Sequence, residues 1–349
     1  MTYPYPLTIK PVEWVDGKVR WLDTSKLPHE EVYYESDDYE RIALAIERME
    51  IRGAPAIGVA AALAVAATAL KHSTSSLDEL RCICMKAIER LWRTRPTAHN
   101  LFWALNRMRR VLEGTYRDAD ELRHALVKEA LEIYRQDIET NMAIGRIGEK
   151  LLEDGDTVLT HCNAGALATA GFGTALGIIR AAWYSGKKIK VIATETRPVL
   201  QGARLTVWEL KKEGIPVTLI TDNMVGYVMS RGLVTKVIVG ADRVLRDGHV
   251  INKIGTYMIA LCASRHRIPF YVAAPTSTID LETPLEKVVI EQRNPDEVRY
   301  VMGRLITLPD VEVLNPAFDI TPPDLVTAIV TERGIVYPPY EENLRKLFE

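Results

Sequence analysis

The chain has 349 residues, with 44 Lys and Arg against 46 Asp and Glu and a formal net charge of −2. Its 47% hydrophobic and 26% charged content is that of soluble globular proteins, which excludes a disordered chain, a collagen and a disulfide scaffold. A balance this near neutral gives no global attraction to nucleic acid or anionic membrane, and the length favours two domains.

Val12, Trp14 and Val19, Trp21 flank Asp16-Gly17, a turn signal that predicts a β-hairpin. The N-terminus has no basic start followed by an apolar stretch, so no signal peptide is read. Asp37-Asp38 then opens a helix carrying Ile42, Ile46 and Met49. Ala54 to Leu70 is 17 residues without a charge, close to a membrane span, but nine are Ala, and Pro55 and Gly58 interrupt it. Ala contributes little transfer energy, so an interior helix of a soluble, cytoplasmic protein is expected. Ser76 with Glu79 forms a capping box for a helix through Leu91. Pro96 marks the next junction, a helix follows from about Thr97 to Leu112, and a long helical stretch over roughly 119–152 bridges two domains.

From Asp156 short β-branched runs recur: Val158-Leu159-Thr160, Val191-Ile192-Ala193, Val217-Thr218-Leu219-Ile220, Val237-Ile238-Val239 and Phe270-Tyr271-Val272. They are nearly unbroken apolar runs separated by helical patterns, as in a parallel sheet covered on both faces. The expected architecture is α/β. A small, mainly helical N-terminal domain with a β-hairpin (residues 1–130) precedes a Rossmann-like, doubly wound domain with a mostly parallel sheet (residues 131–349). The tail from Pro322 mixes a helical pattern with Val336-Tyr337-Pro338-Pro339 and is expected to pack back onto the body.

Ligands of open α/β sheets bind at the carboxyl ends of the strands. Those ends present Thr160-His161-Cys162-Asn163, Glu195-Thr196-Arg197, Thr221-Asp222-Asn223 and Gly240-Ala241-Asp242-Arg243. Cys162 is expected between a strand and a helix opened by Ala164-Gly165-Ala166-Leu167, whose N-terminus favours a thiolate; the alternative is a small buried hydrophobe. His161 beside it points to the opposite face, so a Cys–His dyad from these neighbours is not expected. Asp242 ends an uncharged run, where partial desolvation suits a carboxyl group to donate a proton; the alternative is a pair with Arg243.

Arg52, Arg95, Arg197 and Lys253 are the basic anchors. Singly each is more often a surface charge, whereas together they point to a phosphate-bearing ligand. Arg52-Gly53-Ala54-Pro55 reads as an anion cradle, with a guanidinium fork beside free N–H groups, and Asn252-Lys253 is expected to start a further helix. Gly165 with Gly171-Phe172-Gly173 lacks the dinucleotide spacing, and there is no Walker motif, G-x-S-x-G or metal-spaced His pair. No metal and no cofactor is expected. Cys82, Cys84, Cys162 and Cys262 are too scattered for a disulfide framework and fit a reducing compartment.

Several blocks together resemble the methylthioribose-1-phosphate isomerase family, within the initiation factor 2B alpha/beta/delta-like superfamily. They are Ile51-Arg52-Gly53-Ala54-Pro55-Ala56-Ile57-Gly58, Arg95-Pro96-Thr97-Ala98-His99-Asn100-Leu101, Cys162-Asn163-Ala164-Gly165 and Thr194-Glu195-Thr196-Arg197-Pro198 with Gln201-Gly202-Ala203-Arg204-Leu205-Thr206. Gly240-Ala241-Asp242-Arg243, Asn252-Lys253-Ile254-Gly255-Thr256 and Asn315-Pro316-Ala317-Phe318-Asp319 complete the series. His99 departs from the aliphatic residue more typical there. The resemblance implies conversion of 5-methylthioribose 1-phosphate to its ribulose 1-phosphate ketose in methionine salvage, by a homodimer. It implies Asp242 as proton donor and Cys162 as a transition-state partner, with ligand contacts at Arg52, Gly53, Ala54, Arg95, Gln201, Asn252 and Lys253. The alternatives are a ribose-1,5-bisphosphate isomerase and a non-catalytic regulatory subunit of initiation factor 2B, since fold alone does not fix function.

Overall fold

The structure, a computed structural model, describes residues 3–95 and 99–349 and divides into two compact units. One comprises Met1–Asn141 with Gly165–Gly173, the other Met142–Ala164 with Thr174–Glu349, so the first unit is not one continuous stretch. Pro96, Thr97 and Ala98, within the second family-like block, lie outside the described residues.

In the first unit the expected hairpin is formed by β1 (Val12–Val15) and β2 (Lys18–Leu22), with Asp16 and Gly17 both at positive φ as a tight hairpin turn requires. A third strand, β3 (Tyr33–Ser36), pairs antiparallel with β2; its exposed Tyr-Tyr-Glu sequence lacks the alternation that would have marked it. Helices α1 (Tyr39–Glu47), α2 (Ala54–Lys71), α3 (Leu77–Trp92) and α4 (His99–Leu112) follow, then α5 (Ala119–Gly148), which crosses the boundary between the units. Ser76 caps α3 by accepting from the Glu79 N–H at 3.3 Å. The Glu79 carboxylate turns to the Thr74 hydroxyl, so the reciprocal half of the capping box is replaced.

α2 is apolar all round and is the one helix, among the described residues, long and apolar enough to cross a membrane. Here 78% of that stretch is buried inside the protein. Its small side chains let neighbours approach: a Cβ on Gly58 would lie 2.6 Å from the Asn100 carbonyl oxygen.

The second unit is built on a seven-stranded sheet. Its strands are β4 (Thr157–Thr160), β5 (Lys190–Thr194), β6 (Val217–Ile220), β7 (Lys236–Val239), β10 (Phe270–Ala273), β15 (Ala328–Thr331) and β16 (Gly334–Val336), in the order β16-β15-β10-β7-β4-β5-β6. All neighbours are parallel except β16, which returns antiparallel to β15. The tail therefore adds two strands before α11 (Tyr340–Arg345), strands that the expected mixture of a helical pattern with Val336-Tyr337-Pro338-Pro339 did not mark. Alternate residues feed two cores. Leu159, Val237, Val239 and Val272 pack on the side of α8 (Val225–Ser230) and α9 (Thr256–Arg265), while Val158, Ile238 and Tyr271 pack on the side of α6 (Ala175–Tyr184) and α7 (Val207–Lys212). Helices thus cover both faces, which is the doubly wound arrangement the unbroken apolar runs require.

A smaller sheet, in the order β11-β8-β9-β14, joins β8 (Arg243–Leu245), β9 (Val250–Lys253), β11 (Ile279–Asp280) and β14 (Phe318–Thr321). Asn252 and Lys253 end β9, and α9 begins only at Thr256 after Gly255 at φ 103°. The expected helix start at Asn252-Lys253 is corrected: cross-strand pairing of Asn252 with Asp319 and Lys253 with Phe318 holds both residues extended. Short α10 (Asp296–Arg299) and the hairpin of β12 (Tyr300–Val301) and β13 (Arg304–Leu305) complete the unit.

Candidate active site

The chain leaves β4 toward β5 on one side and, after β6, re-enters the sheet as β7 on the other side of β4. In open α/β sheets ligands bind at such a reversal of strand order, here outside the carboxyl ends of β4 and β7. Cys162 follows β4 and Asp242 follows β7. The two turns touch at Gly240, where a Cβ would sit 2.7 Å from that of Ala164.

Cys162 is buried and adopts φ 60°, a left-handed conformation uncommon for a residue with a side chain. Its N–H donates to the Thr196 hydroxyl at 2.9 Å, and its carbonyl accepts from the Thr206 hydroxyl at 2.6 Å. The expected helix does not begin at Ala164: a short 3-10 turn, Ala166–Ala168, intervenes, and α6 starts at Ala175. Gly171 and Gly173, both at positive φ, keep this stretch from winding into a helix, and the N–H groups of Thr174 and Leu176 at the start of α6 donate instead to the Ala164 carbonyl, at 3.1 and 3.2 Å.

Asp242 is exposed, which corrects the expected partial burial; it stands past the apolar run of β7, at the entry to β8. Its backbone is fixed by donation of its N–H to the Ile251 carbonyl at 3.0 Å, beside Asn252 and Lys253. Lys253 donates to the Ala317 carbonyl at 3.0 Å, with its Nζ 4.6 Å from the centre of the Phe318 ring. Asn252, buried, donates to the Thr256 hydroxyl at 3.0 Å. Gln201 is nearly buried, and its Oε1 has no hydrogen-bond partner among the described residues.

His161 ties β4 to this corner. Its Nε2 lies 2.9 Å from the Ile254 carbonyl, which can only accept, so that nitrogen carries the proton; Nδ1 then accepts from the Thr194 hydroxyl at 2.7 Å. Burial holds its pKa below the usual imidazole range, keeping the ring neutral. On the other side of the Gly255 turn, the Asp319 carboxylate accepts from the N–H groups of Gly255 and Tyr257, at 2.7 and 3.1 Å. Burial pushes the Asp319 pKa up to about 6 despite those donors. Arg197 has its guanidinium on the carbonyls of Pro198 and Val298, so it anchors a loop.

The second unit thus gathers the turns bearing Cys162, Gln201, Asp242, Asn252 and Lys253. Arg52, Gly53, Ala54 and Arg95 belong to the first unit. There Gly53, at φ 89°, precedes α2 as its N-cap, with Pro55 in the first turn and no side-chain cap on the helix N–H groups. A Cβ on Gly53 would lie 2.5 Å from the Ala168 backbone, so only glycine fits. Among the described residues no cluster of three or more His, Cys, Asp or Glu side chains is arranged to hold a metal.

The sequence reading missed a buried ion network behind Cys162. Arg180 donates to Glu209 and to Glu213, both at 2.6 Å, and all three side chains are at most 2% exposed. Asn163 donates to Glu209 at 2.8 Å and to the Thr206 hydroxyl at 3.2 Å. Burial alone would lower the Arg180 pKa, but the two carboxylates raise it, so the guanidinium stays charged. An arginine in the apolar run Ala175-Leu176-Gly177-Ile178-Ile179-Arg180 was the signal available.

The family model described as "Initiation factor 2 subunit family" matches residues 50–338. The methylthioribose-1-phosphate isomerase of Thermosipho melanesiensis is 56% identical, over 97% of this chain and 98% of that protein. Among solved structures, the 5-methylthioribose 1-phosphate isomerase of Pyrococcus horikoshii superposes with a TM-score of 0.95 at 42% identity, covering 100% of this chain and 99% of that one. The structure titled translation initiation factor eIF-2B, subunit delta, from A. fulgidus superposes at 0.90 and 48% identity, covering 97% and 99%. A match of this extent, on a chain whose strand ends carry the residues described above, places it plainly: the protein belongs to the initiation factor 2 subunit family.

Proposed function

We propose that the protein is an aldose–ketose isomerase that converts 5-methylthio-α-D-ribose 1-phosphate to 5-methylthio-D-ribulose 1-phosphate in methionine salvage. The observation that carries this reading is the meeting of the Cys162 and Asp242 turns at Gly240, across the switch point of the sheet. The isomerase names of full-length relatives support the same substrate.

The anomeric oxygen of this substrate is a phosphate ester, so the ring cannot open to a free aldehyde. Asp242 protonates the ring oxygen as its bond to C1 breaks, hydrogen then passes from C2 to C1, and the proton that the C2 hydroxyl gives up as it becomes the ketone returns to the Asp242 carboxylate. Cys162 supports the charge that develops at these carbons. Arg52 and Lys253 hold the phosphate, with the uncapped N–H groups at Gly53 and Ala54 adding donors; Arg95, Gln201 and Asn252 make the remaining contacts. The orphaned Oε1 of Gln201 supports a hydroxyl of the sugar as its partner. The protein works as a cytoplasmic homodimer, and the exposed Tyr227, Tyr257, Met258 and Leu261 on α8 and α9 support self-association.

The test is turnover of 5-methylthioribose 1-phosphate and, separately, ribose 1,5-bisphosphate, followed by NMR in heavy water. Preference for the methylthio sugar is expected, and preference for the bisphosphate would move the substrate assignment. Turnover of neither sugar would favour a non-catalytic subunit of initiation factor 2B, in line with the likeness to the A. fulgidus subunit delta. Solvent deuterium at C1 marks a proton route, and its absence a hydride shift. Asp242→Asn is expected to lose about 10²–10⁴-fold in rate with the fold intact; an unchanged rate removes Asp242 from the chemistry.

A further inference from the structure

Cys162 needs outside support to hold its conformation. A side chain at φ 60° is costly, and its buried N–H and carbonyl must both find partners. Both are met by threonine hydroxyls that are fully buried: Thr196, after β5, and Thr206, at the end of the π-helical turn Gly202–Thr206. Each hydroxyl has its direction fixed. Thr206 receives Asn163 Nδ2, which leaves its own proton for the Cys162 carbonyl. Thr196 receives the Cys162 N–H, while the Thr194 hydroxyl beside it gives its proton to His161.

Both holders are themselves anchored. Thr196, at φ 64°, and Arg197 donate their backbone N–H groups to the two Asp222 oxygens, at 2.8 and 2.7 Å. The π-helical turn is pressed onto β5, since a Cβ on Gly202 would lie 1.8 Å from the Thr194 carbonyl oxygen. Behind Thr206 stand Asn163, Glu209 and Arg180. A stretch with no catalytic task has little reason to hold one strained residue from both sides through buried, charge-backed hydroxyls.

We propose that Thr196 and Thr206 are positioning residues for the reaction: they clamp the Cys162 backbone in its left-handed conformation and thereby aim its thiol, with the Asn163–Glu209–Arg180 chain as the rigid support behind Thr206. The inference rests on the reading of Cys162 as a group that acts on the substrate.

The test compares Thr196→Val and Thr206→Val, which remove only the hydroxyl, with Thr196→Ser and Thr206→Ser, which keep it. Displacement of a catalytic group of this kind lowers kcat by about 10–100-fold for the valine variants, with KM within about threefold and the serine variants near the parent. The rate of iodoacetamide modification at Cys162, read by peptide mass against exposed Cys82 as internal standard, is expected to change in the valine variants only. In a Cys162→Ser background the valine changes are expected to add no further loss, because they act through the thiol. That cycle also separates aiming from a general loosening of the fold, which would add its own loss.

Valine variants with unaltered kcat and unaltered Cys162 modification, alongside an impaired Cys162→Ser, would overturn the clamp and leave the reading of Cys162 standing. A fully active Cys162→Ser would overturn both.

Discussion

Two buried regions of this molecule are built on opposite principles. Around α2 the first unit is packed with alanine, valine and glycine, so neighbouring helices come close and no side chain there demands a charged partner. Behind Cys162 the second unit buries Arg180, Glu209, Glu213 and Asn163 almost completely. The alanine-rich core gains stability from close contact and is sensitive to volume. The ionic core gains little net stability, because desolvation offsets the attraction, but it allows only one arrangement of its members. That second kind of packing lies behind the loop that carries Cys162.

The contrast can be broken most severely at Arg180. Arg180→Met leaves two carboxylates buried without their guanidinium, and an unfolding free-energy loss of about 3–5 kcal/mol is expected in denaturant titration. A loss below about 1 kcal/mol would mean that the network is not what holds the region. Glu209→Gln keeps the shape and sharpens the point, since activity is expected to fall more steeply than stability.

A smaller effect, of pH, is expected at Asp137. Its carboxylate accepts from the Ala170 N–H at 2.6 Å, but burial pushes its pKa up to about 6. The folded state therefore binds more protons than the unfolded chain between about pH 4 and 6, so this group's contribution to stability falls as pH rises through that window. Asp137→Asn is expected to remove the slope, with a difference of no more than about 3 kcal/mol at neutral pH. Parallel stability–pH curves for the two proteins would count against it.

Gly58→Ala tests the alanine-rich core. The added methyl would meet the Asn100 carbonyl, and a cost of about 1–3 kcal/mol is expected in thermal melts, with kcat unchanged. Smallest is Ser76→Ala at the start of α3, about 1 kcal/mol with no effect on activity. If Gly58→Ala lowered kcat as much as Glu209→Gln, the division between the two kinds of core would fail.

Much of the fold was readable where local pattern and tertiary role coincide. The runs at Val158, Val191 and Val237 are buried on both faces, so their composition alone announced the sheet, and the strand ends then pointed to Cys162 and Asp242. Reading failed where distant pairing decides. β9 looked like the approach to a helix because only its partner β14 makes it a strand. β3 carries no alternation of its own and is made a strand by β2. The clamp on Cys162 was illegible for the same reason. Thr196 and Thr206 stand 34 and 44 residues from it in sequence, and nothing local distinguishes a threonine that reaches a remote backbone from one that faces water. The family resemblance supplied the order of the blocks, but not the hydrogen bonds between them.

The segment Gly165–Gly173 belongs to the first unit although it is made after β4. There Ala168 seats Gly53, the Ala170 N–H donates to the Asp137 carboxylate, and Phe172 stacks on Tyr5 at 5.2 Å. During synthesis, then, the N-terminal half cannot complete its own packing when its last helix emerges; it must wait for a piece of sequence threaded through the beginning of the next half. A nascent chain halted in α5 would leave Tyr5, Gly53 and Asp137 without their natural neighbours. The two halves mature together, and the residues following the proposed catalytic cysteine are the ones that close the first.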